Sequence, residues 1–448
     1  MLKLMLKLMP QLVRNSRRSE QQNTIRRLAS QTWIKTDIGR CLRFSDPFSF
    51  LLLTLFCISV NATPTYTALP APAGKPNDPA ALVALGRQLF FDPRLSEPRG
   101  TSCASCHAPD KAFSGNHGSG IGVALGSRPA SLGTRNTPSV LYLRFTPPRF
   151  FYESDDDLVP TPYGGFFWDG RADTLAEQAL GPLFNPSEMN NKDAHQFSRK
   201  LQQGYRASMQ QQFGATIFDQ PALATKAATS ALQAFLRSDE MTPFSSKYDA
   251  YIRGLGTLNA AEMRGLRLFR NPDKGNCASC HQFNDTSSNP ARSMFTDFSY
   301  DAVAVPRNRL IPANRNPKNY DIGLCQTAAT LHWPDSTQWC GYFKTPSLRN
   351  VAARESYMHN GVFTSLRDVV AFYATRSTRP TDWYKNKVGE KFDDVPAEYS
   401  DNINVNALPY NRPIGATPAL SDSEIDDLVV FLKTLTDAPY LKAAQNRK

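Results

Sequence analysis

Long hydrophobic runs are missing from this 448-residue chain. Its most apolar stretch, Phe48 to Val60, is interrupted by Ser49, Thr54 and Ser59 and falls short of the roughly 20 residues that span a bilayer, so a multi-span membrane protein is excluded. Charge is modest at 20% against 41% hydrophobic residues, and 25 glycines are far too few for a collagen repeat, so neither disorder nor a fibre fits. Strand signals are sparse as well, which points to a mainly α fold. Acidic residues are in deficit, 40 against 51 basic ones, and the resulting +11 raises nucleic acid or an acidic surface as a partner.

Where the charge sits removes that reading. Residues 1–62 hold ten basic side chains and three acidic ones, so +7 of the +11 lies there and +4 remains for the rest. The apolar stretch follows this basic segment and ends in Val60-Asn61-Ala62, which satisfies the small-residue rule for cleavage after Ala62. The segment reads as an export leader, and an exported chain folds where thiols oxidise.

Cys41 and Cys57 fall in the leader, leaving six cysteines in three pairs. Cys103-Ala104-Ser105-Cys106-His107 and Cys277-Ala278-Ser279-Cys280-His281 are one pentapeptide used twice, the attachment pattern of c-type haem. Two thiols at this spacing reach the two vinyl groups of one porphyrin edge, and the adjacent imidazole reaches the iron. A thioredoxin-like redox pair would not need His after both copies, and a four-cysteine zinc site would not need export. Cys325 and Cys340 lack a following His and read as a structural disulfide. Two haems add about four propionate charges at neutral pH, which brings the exported protein close to neutral, so nucleic acid drops out.

The pentapeptide is not the only repeat. Gly86-Arg87-Gln88-Leu89-Phe90 and Gly265-Leu266-Arg267-Leu268-Phe269 lie on helices before each attachment site, opened by Asp78-Pro79 and by Asn259 with Glu262. Thr137-Pro138-Ser139-Val140 echoes Thr345-Pro346-Ser347-Leu348, and Trp168-Asp169-Gly170 echoes His359-Asn360-Gly361. The expected architecture is two cytochrome c-like haem domains related by internal duplication: a leader over 1–62, an N-terminal haem domain over 63–240, and a C-terminal haem domain over 241–448. The boundary is expected near Asp239 to Pro243. A last helix, capped by Ser421 with Glu424, presents Ile425, Leu428, Val429, Leu432 and Leu435 as its apolar stripe.

With these motifs in place, residues 78 to 437 resemble the bacterial diheme cytochrome c peroxidase family, including its MauG-like branch. The most specific stretch is Phe167-Trp168-Asp169-Gly170-Arg171-Ala172, with Gln178, Pro182 and Glu188-Met189 at the family's offsets. The resemblance implies a periplasmic enzyme with two covalent haems c, ligated through His107 and His281. It makes the N-terminal domain the peroxidatic one and the C-terminal domain the electron-transfer one, with Glu188 the distal acid, Gln178 its pocket partner and Trp168 the electron relay. It implies hydrogen peroxide as substrate, with a small c-type cytochrome or cupredoxin as donor, or a protein substrate in the MauG-like branch.

Two departures bear on the branch. Val123 stands where many members hold a second histidine on the peroxidatic haem, with His117 nearby at another offset. Tyr373 stands where the second haem takes a Met, and Leu366, Val369, Val370 and Tyr373 share one apolar helix face. Tyr at that position resembles the MauG-like branch. The family's calcium ion would take the Asn136 side chain and the carbonyls of Arg354 and Ser356, although the usual Thr and Pro are absent there.

Overall fold

Helix Pro79–Phe91 (α1) crosses helix Pro221–Leu236 so closely that a Cβ on Gly86 would lie 1.8 Å from the Ala231 carbonyl oxygen. Helix Ala260–Arg270 meets Asp422–Lys433 in the same way, with a Cβ on Gly265 falling 2.1 Å from the Asp427 carbonyl oxygen. In each case the only residue without a side chain sits at the crossing. The computed structural model describes residues 78–153, 160–385 and 392–445. The leader, its cleavage site, Cys41 and Cys57 lie outside the described residues.

After α1, a single turn Cys103–Cys106 (α2) carries the first attachment site, and Leu175–Phe184 (α3), Ala194–Phe213 (α4) and Pro221–Leu236 (α5) complete the first bundle. Lys247–Ile252 (α6), Ala260–Arg270 (α7), Leu324–Thr330 (α8), Leu366–Thr375 (α9), Asp422–Lys433 (α10) and Leu441–Gln445 (α11) follow. Two small antiparallel pairs, Phe150–Tyr152 (β1) with Thr161–Tyr163 (β2) and Tyr300–Asp301 (β3) with Phe343–Lys344 (β4), are all the named strands among the described residues. No helix among them is long and apolar enough to cross a membrane. The fold is helix-rich, as expected.

The caps predicted from sequence at Asp78, Asn259 and Ser421 form, and further ones start α3 and α9. Asp78 accepts from the Ala80 amide, and Asn259 with Glu262, Thr174 with Glu177 and Ser421 with Glu424 close full capping boxes, satisfying amides that a helix start leaves without partners. Ser365 accepts from the Asp368 amide to start α9. On α10 the buried stripe is Ile425, Leu428, Phe431 and Leu432; Phe431 is fully buried, while Val429 is only partly so.

Two apolar cores result. Leu85, Leu89, Phe90, Leu175, Phe197 and Phe235 centre the first, and Leu266, Phe269, Phe295, Phe372, Leu428 and Phe431 centre the second. The chain passes from one to the other between Met241 and Tyr248, past a 3₁₀ turn at Asp239–Met241. Met294, Ala353 and Tyr440 reach back into the first. Cys325 and Cys340 are joined as a disulfide beside a third small cluster built on Tyr300, Leu324 and Trp339.

Candidate haem sites and peroxide pocket

Around each attachment motif the backbone repeats itself. The His107 amide donates to the Cys103 carbonyl at 2.8 Å and the His281 amide to the Cys277 carbonyl at 2.9 Å, closing one turn in each copy. His107 Nδ1 lies 3.0 Å from the Pro138 carbonyl and 3.2 Å from that of Phe113. His281 Nδ1 lies 3.0 Å from the Phe295 carbonyl, with the Pro346 carbonyl also facing the ring. Phe113 and Phe295 both adopt positive φ, 53° and 55°, a rare conformation for a bulky residue. Ser139 and Ser347 hydroxyls donate to the carbonyls of Ala112 and Met294, the residues just before Phe113 and Phe295.

A carbonyl accepts, so Nδ1 of each histidine carries the proton and Nε2 keeps its lone pair. Burial lowers both imidazoles to about 4, which keeps them neutral. The Cys103, Cys106 and Cys277 thiols are pushed up to about 12 by burial. Two thiols, a neutral imidazole with one free nitrogen and an apolar cavity are a donor set and a cradle that fit covalent haem.

That cavity, about 250 Å³, has Cys103, Cys106 and His107 in its wall, and Gln178, Pro182 and Glu188 in the same wall. The structure therefore brings together residues up to eighty-odd positions apart. Burial raises the Glu188 carboxyl above the usual carboxylate range, against the opposing pull of Arg171 and a hydrogen bond with Asn185. Ser187 precedes it in a tight turn that Asn185 closes through its own side chain.

Trp168 also lines the cavity and is buried. Its indole N–H donates to the Asn136 carbonyl at 2.8 Å, and its own carbonyl accepts from the Lys344 amide at 2.8 Å. The turns around Trp168 and His359 match: Phe166 pairs with Ala172 and Tyr357 with Phe363, with positive φ at Phe167 and Met358 and at Gly170 and Gly361. Val123 is fully buried and brings no ligating atom. His117 bonds the Leu125 carbonyl through Nδ1 at 2.8 Å and is absent from the cavity wall.

Tyr373 packs with Cys277 and Ala278 against the second core. Burial drives its phenol upward, and Cys280, Asp301 and Cys277 add to the shift, which puts the phenol within electrostatic reach of the second attachment motif. Tyr410 stacks on it at 6.2 Å between ring centroids, and the Arg376 guanidinium lies 3.9 Å over Tyr410.

Three cavity residues escaped the sequence reading. Arg171, within the quoted Trp-Asp-Gly-Arg stretch, lies 3.6 Å over the Phe167 ring and bonds Asp169. Lys344 precedes the Thr345-Pro346 echo; its ammonium donates to the Gly165 carbonyl between the Phe166 and Phe298 rings, and burial lowers it to about 7. Arg135 bonds both Asp169 and Asp321. The repeat comparison gave no weight to charged residues flanking the motifs.

The expected calcium site is corrected. The Asn136 side-chain oxygen accepts from Arg354 Nη2 at 2.6 Å, and the Ser356 carbonyl accepts from Arg354 Nε at 3.3 Å. A guanidinium stands on the oxygens a divalent ion would need. These residues do not fit calcium.

A family model for di-haem cytochrome c peroxidase matches residues 80–257. The methylamine utilization protein MauG of Paracoccus denitrificans is 35% identical over 396 residues, covering 87% of this chain and 97% of that one. The chain belongs to the di-haem cytochrome c peroxidase and MauG family. It is an oxidoreductase, and the family implies two c-type haems. The crystal structure of the diheme peroxidase BthA from Burkholderia thailandensis E264 matches with a TM-score of 0.77 and 54% identity over 82% of this chain and 90% of that one. Cytochrome c551 peroxidase of Nitrosomonas europaea is 28% identical over 65% of this chain and 72% of its own length.

Proposed function

We propose that this chain is a periplasmic peroxidase that reduces hydrogen peroxide to two waters, taking two protons and two electrons, with a small c-type cytochrome or a cupredoxin as donor. Peroxide is handled on the His107 side and electrons enter on the His281 side. The two sides are haem domains derived by duplication, 63–240 and 241–448, and the paired glycine crossings, histidine anchors and positive-φ phenylalanines support that reading.

The observation that carries the proposal is Glu188, with Gln178 and Pro182, in the wall of the cavity that holds Cys103, Cys106 and His107. Haem, when bound, supplies the iron that takes the peroxide and exchanges the electrons. His107 offers Nε2 because two backbone carbonyls hold its other nitrogen. Cleaving the O–O bond needs a proton moved from the inner to the outer oxygen. Glu188 carries it, since burial brings its affinity for that proton nearer to neutrality. The Gln178 amide donates to the oxygens, and the apolar walls keep water out. Trp168 spans the two sides, bonded to Asn136 and to Lys344.

A second reading, a MauG-like oxidase that removes electrons from aromatic side chains of a partner protein, is favoured by Tyr373 beside the second attachment motif, against the same core as Cys277, and by Val123. A reduced small cytochrome or cupredoxin that stays reduced when peroxide and the holoenzyme are added sinks the first reading. A near-infrared band from two electronically coupled haems, after one equivalent of peroxide meets the oxidised protein, selects the second.

A further inference from the structure

The Arg354 side chain ends in a place where a cation is expected and an arginine is not. Its guanidinium meets three neutral oxygens: the Asn136 side chain at 2.6 Å, the Thr137 carbonyl at 3.2 Å and the Ser356 carbonyl at 3.3 Å. None is a carboxylate. Lys111, and not Arg354, pairs with the adjacent Glu355. Burial lowers Arg354 to about 10, which still leaves it charged at neutral pH.

Those oxygens belong to the junction between the two haem sides. The Asn136 amide donates to the His359 carbonyl at 2.7 Å, its carbonyl holds the Trp168 indole at 2.8 Å, and its side-chain nitrogen donates to Ser356 Oγ at 2.5 Å. Thr137 is followed by Pro138, whose carbonyl holds His107. A bridge on Asn136, Thr137 and Ser356 therefore sets the Trp168 indole, the His107 loop and the His359 turn together. Neutral amide oxygens converging in a dry place require a cation or donors. Guanidinium supplies several donors in a fixed fork, and a divalent ion a few ångströms from it would meet a like charge in a poorly screened environment.

We infer that the Arg354 guanidinium takes the role of an inter-domain metal ion in this chain: a covalent, non-exchangeable cation that positions Trp168 and His107, so that the enzyme holds no calcium between its two sides and does not depend on it. The inference stands under either functional reading, because it concerns the junction and not the substrate. Arg354 is a positioning residue here, acting through Asn136.

The test starts with the parent holoprotein carrying both haems. After exposure to the chelator EGTA and desalting, elemental analysis is expected to find only substoichiometric calcium. Its haem spectra and peroxide turnover are expected to be the same with EGTA or added calcium chloride. One calcium per chain retained, or a spectrum that shifts with chelator, overturns the inference. Arg354→Thr removes the cation and keeps a small polar side chain. It is expected to lose about tenfold in turnover, as loss of an outer-shell support does, and to regain activity and the parent's electron paramagnetic resonance signature with millimolar calcium. If Arg354→Thr loads both haems, keeps the parent's spectra and turnover and ignores calcium, the positioning role is wrong. Should the variant fail to load haem, the parent's calcium content and chelator response still decide.

Discussion

The carbonyl of Trp168 accepts from the Lys344 amide at 2.8 Å. Two residues beyond Lys344, the Pro346 carbonyl faces the His281 imidazole, while the Trp168 indole donates to Asn136, two residues before the Pro138 carbonyl that holds His107. One tryptophan is thus fixed by short backbone links to the segments that flank both motif histidines. A residue held at both ends keeps a constant distance to both motifs, which the proposed electron relay requires.

Glu188→Gln keeps the shape of the pocket and removes its titratable proton. The rate of reaction with peroxide is expected to fall about a hundredfold, with the resting haem spectra unchanged. In the parent, the acid limb of the pH–rate profile should lie above the ordinary carboxylate range, because burial raises Glu188; in the variant that limb disappears. Stopped-flow mixing with peroxide across pH checks both, and a variant as fast as the parent removes Glu188 from the mechanism.

Tyr373→Phe deletes only the phenol oxygen. If that oxygen ligates the second haem, the spectrum assigned to the His281 haem changes while that of the His107 haem does not. An unaltered second haem would assign Tyr373 to packing alone, with Tyr410 as its stacked neighbour.

Gly86→Ala should be costly despite alanine's better helix propensity, worth about 1 kcal/mol. The new methyl lands 1.8 Å from the Ala231 carbonyl oxygen, in backbone that has to move. A net loss of about 2 kcal/mol is expected, and Gly265→Ala should behave alike at Asp427. Denaturant unfolding of the holoprotein measures it; a neutral or stabilised variant would show that the crossing helices have room.

Asp321 pairs with Arg135, which also holds Asp169 beside Trp168. Burial pushes the Asp321 carboxyl up, but the Arg135 charge and hydrogen bonds outweigh it and set the carboxyl at about 2, below its usual value. A depressed carboxylate stabilises the fold above the unfolded pKa of about 4 and loses that contribution as pH falls through about 2. Asp321→Asn is therefore expected to destabilise the protein by about 2 kcal/mol at pH 7. The gap between parent and variant should narrow from about pH 4 downward, and a gap independent of pH would mean the pair contributes nothing through charge.

Sequence alone determined what is covalent or local. The two Cys-Ala-Ser-Cys-His segments, the N-caps and the glycine at the same place in both leading helices follow from spacing within a few residues, and short-range sterics and hydrogen bonding suffice to read them. Tertiary structure decided which distant groups share a pocket. It set Glu188 and Gln178 against the His107 cavity, turned Phe431 inward where Val429 was expected, and buried Lys344 between two aromatic rings. It also laid Arg354 on Asn136, where the family resemblance pointed to a metal ion. Each of these depends on contacts between segments far apart in the chain, and a long flexible side chain such as arginine carries no periodic signal saying which of many oxygens within its reach it will find.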